Sequence, residues 1–557
     1  MSETTNSRPT RSTASGAWAD GDRTPLNGNE AFKQADDALN VRQRILDTYS
    51  VEGFGSIPGE DSRGRMRWMG LYTQRKPGID GGQTATLAPE ELDDEFFMMR
   101  VRSDGGALTT DQLRTLGQIS TEFARDTADI TDRQNIQLHW IRIEDVPAIW
   151  DRLASVGLST MEACGDAPRV ILGSPVAGVA ADEIIDGSPA IAEILRRHLG
   201  SPEYSNLPRK FKTAISGSPS LDVAHEINDV SFVGVVHPEL GPGFDLWVGG
   251  GLSTNPIFAV RLGAFVTLDE VPDVWAGVIG IFRDHGYRRL RNRARLKFLV
   301  ADWGPAKFRA VLERDYLARA LPDGPAPAAP TGLRRDHIGI HPQRDGRVWV
   351  GLAGTAGRVS GRTLTGLADL AEAHGSGRVR LTPHQKILVL DVPPEEAQAL
   401  AQAAAAYDLH AHPSEWRRGM MACTGIEFCK LALVETKARG RAVVAELEAR
   451  RPGFDAPFSI HVNGCPNACA RTQTADIGLK GMVTRDAAGG LVETFQVHLG
   501  GSLGAHTNLA RKTRALKVTA DDLPDYIDRV AGRFEEQRVS GESFAQWAHR
   551  ADEEQLK

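Results

Sequence analysis

Four of the chain's five cysteines fall between positions 423 and 469. The first pair reads Cys423-Thr-Gly-Ile-Glu-Phe-Cys429 and the second Asn463-Gly-Cys465-Pro-Asn-Ala-Cys469, spacings of C-x5-C and C-x3-C. Thiols gathered in this way, outside a disulfide-forming compartment, bind metal. Four thiolates suit either a tetrahedral zinc or an iron–sulfur cluster. Structural zinc sites favour shorter gaps, so C-x5-C fits zinc poorly. Gly464 and Pro466 flank Cys465 and imply an irregular loop that turns backbone and sulfur toward a bulky inorganic object. Zinc, or four unrelated buried thiols, remain the alternatives from spacing alone.

The chain that must hold those cysteines has 557 residues, too many for one core, so three or four domains are expected. Charged residues at 25% and hydrophobic ones at 41% describe an ordinary globular protein, and no apolar run is long enough to cross a bilayer. Met1 to Arg23 is polar, without a signal-like apolar segment, and reads as a disordered lead-in to a cytoplasmic protein. A net charge of −7 argues against nucleic-acid binding.

Periodicity then places the elements. Asn29 to Tyr49 reads as a helix with Phe32, Ala35, Leu39 and Ile45 on one face, and residues 78–92 as a surface loop. Phe96 to Arg102 reads as a strand. Thr109-x-x-Gln112 is a capping box that starts a helix, Ile136, Leu138 and Trp140 alternate as a half-buried strand, and a further helix runs from about Val146 to Val156. This β-α-β-α unit recurs: Gly106 to Leu138 aligns without gaps on Gly357 to Val389, matching Gln134 to Gln385. The echo continues in Met161-Glu-Ala-Cys164 with Met420-Met-Ala-Cys423, Phe211-x5-Gly217-Ser-Pro219 with Phe458-x5-Gly464-Cys-Pro466, and Asp229 with Asp476. Phe244 and Gly249-Gly250 likewise answer Phe495 and Gly500-Gly501. So long a repeat is a duplicated domain pair. Only the second copy keeps its thiols: Ser218 stands for Cys465, Asp222 for Cys469, and Cys164 is alone. The first copy is thereby released to face the metal site from the other side, where substrate would bind.

The Cys-Thr-Gly-Ile-Glu-Phe-Cys and Asn-Gly-Cys-Pro-Asn-Ala-Cys segments resemble the signature of the ferredoxin-dependent sulfite and nitrite reductases, and the resemblance covers nearly the whole chain after about residue 60. It implies a 4Fe–4S cluster on Cys423, Cys429, Cys465 and Cys469, with Cys469 also bridging to the iron of sirohaem. Sirohaem is a polycarboxylate, so its pocket must be densely cationic. The first copy offers Met98-Met-Arg100-Val-Arg102, Thr131-Asp-Arg133-Gln-Asn-Ile-Gln137, Ala167-Pro-Arg169 and Leu207-Pro-Arg209-Lys210-Phe-Lys212. By resemblance, Arg100, Arg169, Lys210 and Lys212 face the substrate oxyanion. Arg133, Gln137, His139, Arg209, Asn467 and Cys469 contact the macrocycle. Members that reduce nitrite tend to carry Asn where Lys212 stands.

The expectation is an α+β protein, internally duplicated, with two ferredoxin-like half-domains and two related mixed α/β lobes around a sirohaem–4Fe–4S centre. Its divisions would be an N-terminal extension (1–60), half-domain 1 (61–160), the sirohaem and substrate lobe (161–330), half-domain 2 (331–412) and the cluster lobe (413–557). Residues 319–332 read as the linker between copies. The implied activity is six-electron reduction of sulfite, with nitrite as the alternative substrate, a zinc-stapled binding protein as the remote alternative, and ferredoxin as donor. Two basic groups, Arg288 to Lys297 and Arg511, Lys512, Arg514 with Lys517, are either solvated faces or docking patches for an acidic electron carrier. Tyr72 and Cys164 are expected to touch near the haem, where they could couple into a thioether.

Overall fold

Twenty strands form in the computed structural model, which describes residues 27–330 and 334–557, and they fall into two runs of ten. The first run is β1 (Leu71–Arg75), β2 (Asp93–Val101), β3 (Ala107–Thr109), β4 (Ala128–Ile130), β5 (Ile136–Ile141), β6 (Leu172–Gly173), β7 (Thr213–Ser216), β8 (Val230–His237), β9 (Gly241–Val248) and β10 (Val260–Val266). The second is β11 (Gly339–Pro342), β12 (Val348–Leu352), β13 (Arg358–Val359), β14 (Arg378–Leu381), β15 (Ile387–Val392), β16 (Met420–Ala422), β17 (Ile460–Asn463), β18 (Ile477–Arg485), β19 (Leu491–Leu499) and β20 (Arg511–Thr519).

Adding ten to a strand number in one copy gives its counterpart in the other. The sheets β1-β2-β5-β4-β13 and β11-β12-β15-β14-β3 are antiparallel and exchange their last strands, so each half-domain is completed by the other. One apolar core runs through both, from Phe97, Leu138 and Ile119 to Val350, Val389 and Leu367. Helices Thr110–Phe123 and Gly361–Ala373 cross between them at Gly117 and Gly361, where a Cβ on either would come within 2.6 Å of the other's carbonyl oxygen. The lobes β6-β7-β8-β9-β10 and β16-β17-β18-β19-β20 each begin with two parallel pairings and end with two antiparallel ones, over separate cores. The fold is thus the duplicated α+β arrangement expected.

Several local readings change. The Asn29–Tyr49 segment is not one helix: Asp37 takes the N–H of Leu39 at 2.9 Å and breaks it after Ala35, a local side-chain bond competing with the helix. The capping box at Thr109 forms in both directions, at 2.9 and 3.1 Å. β5 is buried on both faces instead of one, because the shared core covers one side and the 423–429 loop the other. The polar segment Met1 to Arg23 and residues 331–333 of the linker lie outside the described residues. No helix among the described residues is long and apolar enough to cross a membrane.

The repeat also has a different register from the one its sequence identities suggest. Leu172 pairs with Ala214 on β7, and Met421 with His461, the counterpart of Ala214, on β17. The Gln134 amide accepts from Gly173 N–H at 3.0 Å and donates to Gly173 C=O at 2.9 Å, as Gln385 does with Ala422 at 3.0 and 2.8 Å. Gly173 therefore answers Ala422, and the counterpart of Cys423 is Ser174, not Cys164. The local match at Met-x-Ala-Cys was fortuitous; backbone pairing sets the register. Gln134 is wholly buried, so Gln134→Leu would strand the N–H and C=O of Gly173. We expect it to cost about 2–4 kcal/mol, read as a lower urea midpoint.

Candidate functional site: four thiols beside a cluster of uncompensated cations

The cysteines are placed by strand ends. Cys423 follows β16, anchors its N–H on Val462 at 3.0 Å, and receives Gly464 N–H on its sulfur at 3.2 Å. Gly425, at φ 75°, turns the chain so that Cys429 N–H reaches Gly425 C=O at 3.0 Å. Cys465 follows β17, and left-handed Ala468, at φ 54°, presents Cys469. None is in a disulfide; Cys465 is buried and Cys469 exposed. Burial, followed by the nearby Cys469 sulfur, pushes the Cys423 thiol up to about 12 and raises those of Cys429 and Cys465. The four sulfurs thus lie within reach of one another's charge. Yet no grouping of three or more His, Cys, Asp or Glu side chains among the described residues can hold a single metal ion.

Seven half-buried cations stand beside them: Arg67, Arg100 on β2, Arg133 between β4 and β5, Arg169 before β6, and Arg209, Lys210 and Lys212 before β7. Among the described residues none pairs with a carboxylate. Arg169 donates to the carbonyls of Gly165 (2.7 and 3.0 Å) and Ala163 (3.4 Å). Arg133 donates to the carbonyl of Val170 at 2.6 Å and to Asn228 Oδ1 at 2.8 Å, and its Nε has no partner. Arg209 donates to the carbonyl of Arg291 at 3.3 Å. Burial, followed by neighbouring positive charge, lowers Arg133 to about 9 and Arg209 to about 10. Lys212 falls to about 7 through burial and then Arg133, and burial with Lys212 pushes Lys210 well down. A cluster of this kind fits a polyanion, and sirohaem's carboxylates would supply one. Cys469 joins the two groups: its sulfur exerts its charge on Arg100, Lys210 and Lys212 as well as on the other three thiols.

Gln137 is the hydrogen-bonding link. It faces Arg100 across the β2–β5 ladder, accepts from Arg100 Nη2 at 2.5 Å, and donates to Thr424, next to Cys423, at 3.1 Å. Arg100 Nη1 meets the Cys164 sulfur at 3.1 Å. The Tyr72 phenol, raised by burial and then by Cys164, shares those surroundings with Arg67, Arg100 and Arg169. Asn467 is exposed on the Cys465–Cys469 loop. His139 is placed differently from the rest. It is fully buried, its Nε2 lies 2.9 Å from Asp129, and its ring stacks on Phe428 at 3.9 Å, so the structure does not bring it to the cation cluster.

Sequence reading missed the residues that frame the cations. In the run Arg288 to Lys297, Arg288 pairs with Glu30, Arg291 with Asp166 and Arg295 with Asp229, while Lys297 donates to three carbonyls. Arg288, Arg291, Arg295 and Lys297 are thus tied to internal partners, while Arg293 is exposed on the same run. Its carboxylate partners are distant in sequence, which hid them. In the second patch Arg511 holds the carbonyls of Ala548 and Ala551, Lys512 and Lys517 are exposed, and the side chain of Arg514 lies outside the described residues. Ser174 and Asp222 occupy the places of Cys423 and Cys469 in the first copy. There Ser174 and Ser216 donate to Asp222 at 2.7 and 2.8 Å and His337 meets it at 2.8 Å, a polar filling where the second copy has thiols.

Comparison with known proteins matches the nitrite and sulphite reductase 4Fe-4S domain at residues 164–320 and 415–557, and the nitrite/sulfite reductase ferredoxin-like half domain at 89–156 and 341–407. Sulfite reductase (ferredoxin) 1 of Mycolicibacterium paratuberculosis is 58% identical, covering 99% of this chain and all of that one. The assimilatory ferredoxin-dependent nitrite reductase of Haloferax mediterranei is 36% identical, covering 90% of this chain and 88% of that one. The solved Mycobacterium tuberculosis NirA protein superposes with a TM-score of 0.95 at 57% identity, over 98% of this chain and 100% of that one.

Between pH 7 and 10 the unfolded chain holds a proton on Lys212 that the anion-free folded chain has released. The Lys212 contribution to folded stability therefore rises with pH across that window. We expect the thermal midpoint of cofactor-free protein to climb from pH 7 to pH 9, and to climb less in Lys212→Met; equal slopes would place Lys212 outside the repelling cluster.

Proposed function

This chain belongs to the nitrite and sulphite reductase family, and from that premise we propose that it reduces sulfite to sulfide with electrons from reduced ferredoxin. Its cofactors are sirohaem and a 4Fe–4S cluster. The observation that carries this reading is the set of seven unpaired cations beside four free thiols, with Cys469 in charge contact with both. Identity supports sulfite over nitrite: relatives named as ferredoxin sulfite reductases match at 57–58%, those named as nitrite reductases at 34–36%.

Cys423, Cys429, Cys465 and Cys469 would hold the cluster, and Arg133, Arg209, Gln137, Asn467 and Cys469 the sirohaem. When bound, the pair would supply single electrons for the reduction. The chain's own part is to bind, orient and protonate. Arg100 is aimed by Gln137 and Arg169 by the Ala163–Gly165 turn, so both present fixed positive charge to the sulfite oxygens. Lys210 and Lys212 have no side-chain partner among the described residues, and their ammonium groups are free to meet those oxygens. They are also the proton donors. An arginine keeps its proton under these conditions, whereas a lysine crowded by cations releases one readily. The free thiols and the ferredoxin donor support a cytoplasmic location.

Near the same cations Cys164 and Tyr72 form a pair we read as able to couple. Joining the sulfur to a ring carbon breaks the S–H and one ring C–H bond and gives up two protons and two electrons, which dioxygen would take up as hydrogen peroxide. Peptide mass spectrometry would show the Tyr72 and Cys164 peptides joined and lighter by two hydrogens; separate, unshifted peptides from active enzyme would exclude the link.

An ammonium pairs with a sulfite oxygen and gives it a proton, whereas an amide offers only a neutral hydrogen bond of about half the strength. Lys212→Asn should therefore lower sulfite turnover about tenfold or more and nitrite turnover less. A loss equal for both substrates, or larger for nitrite, would overturn the sulfite assignment of this site.

A further inference from the structure

Arg75, the last residue of β1, is the most deeply buried arginine near the thiols, at 2% exposed. Its backbone N–H donates to Phe428 C=O at 2.9 Å, beside Cys429. Its side chain spends its donors on neutral acceptors. Nε and Nη2 reach Ile79 C=O at 3.1 and 3.0 Å, and Nη2 reaches Asp80 C=O at 2.8 Å and Thr84 Oγ1 at 2.9 Å. Nη1 reaches Ala432 C=O at 3.3 Å and Lys430 C=O at 3.5 Å. No carboxylate among the described residues pairs with it; Asp80 offers only its backbone carbonyl, while its side chain caps Gly82 and Gln83. A guanidinium placed like this is costly unless a negative centre lies close by.

The negative charge that acts most strongly on Arg75 is that of Cys429, ahead of the Asp80 carboxylate. Its sulfur lowers the cost of Arg75's charge, and Arg75's charge favours the thiolate of Cys429. The connection runs through one peptide group: the Lys430 carbonyl accepts from Arg75, and the N–H of Leu431, across the same peptide bond, points at the Cys429 sulfur. The dipole is thus aligned between cation and thiolate. Leu431 itself is 62% exposed, so this edge of the thiol group lies near the surface, while the 79–84 segment clasps it through Thr84 Oγ1 to Ala432 C=O at 3.2 Å.

We propose that Arg75 is a positioning residue that sets the reduction potential of the cluster, through unneutralised charge relayed by the Lys430–Leu431 peptide. Each electron taken from reduced ferredoxin oxidises the donor and leaves one more negative charge among the four thiolates. A fixed cation at Cys429 stabilises that reduced state and makes the cluster easier to reduce. The inference rests on the cluster assignment.

The test is a redox titration of the holoenzyme, following the cluster's electron paramagnetic resonance signal, in wild type, Arg75→Gln, Arg75→Lys and Thr84→Ala, with iron and sirohaem content measured on each. Arg75→Gln is expected to lower the reduced-to-oxidised ratio at fixed ambient potential about tenfold, 59 mV for one electron. Arg75→Lys, which keeps the charge, should recover most of that shift. Thr84→Ala, which loosens the same clasp with the charge intact, should titrate as wild type. An unchanged midpoint in fully loaded Arg75→Gln would overturn the proposal. So would equal shifts in Arg75→Gln and Thr84→Ala, or loss of the cluster from Arg75→Gln, since either makes Arg75 a structural clasp alone. Wild-type protein without cluster iron would instead defeat the cofactor assignment.

Discussion

Seven cations without counter-charges, next to four thiols that repel one another once ionised, are the constraint on which the rest of this structure depends. Taken alone, each group is a burden. Half-buried guanidinium and ammonium groups without carboxylates cost desolvation energy and push each other toward neutrality, as the depressed Lys212 and Arg133 show. The thiols are driven the other way, toward staying protonated. A polycarboxylate against the first set and iron against the second remove both penalties together. Cofactor binding is in this sense part of folding, because the bound state alone has its charges balanced. Arg133, Arg169 and Arg209 are tied to backbone carbonyls, which hold them apart without neutralising them.

The duplication explains how one chain supplies both sets. Strands β6 to β10 and β16 to β20 repeat one topology, and even the bends of the cysteine-bearing loop are kept. Leu221 and Ala468 share φ 54°, and Ala224 and Arg471 lie at 51° and 55°. Only the side chains have diverged. Asp222, with Ser174, Ser216 and His337, fills the first copy's loop with a closed set of hydrogen bonds. That copy needs no metal to hold its shape, and its outward residues are free to become the cation cluster. The exchange of β3 and β13 between sheets fixes the two copies face to face.

Much of this was legible in the sequence where the information is local. The two cysteine motifs, the capping box at Thr109 and the Gln134–Gln385 correspondence are each carried by a few adjacent residues. The cations Arg100, Arg133, Arg169, Arg209, Lys210 and Lys212 do fall together, although sequence alone could not say that they lack partners. What failed was information held in tertiary pairing. Cys164 matched Cys423 by neighbouring letters, while strand register gives that place to Ser174. Arg288, Arg291 and Arg295 read as part of a surface run because Glu30, Asp166 and Asp229, their partners, lie far off in the chain. His139 shares a face of β5 with Gln137, but its Nε2 is claimed by Asp129, a partner that neighbouring letters do not reveal. Arg75 gave no signal, since an arginine at a strand end reads as exposed.

The mixture of arginines with two lysines is itself a consequence of the charge constraint. Arginine alone would hold an anion as well or better, through planar paired donors, but it does not release protons at working pH. Two lysines among arginines are held near the edge of deprotonation by the same repulsion that makes the cluster attract anions. On the function proposed above, an arriving anion would reverse that pressure, restore the ammonium with a proton from solvent, and so place that proton at the atom facing the oxygen that must leave. As negative charge is consumed the pressure returns and the proton becomes available again. Binding and proton supply would then be one electrostatic property of the cluster.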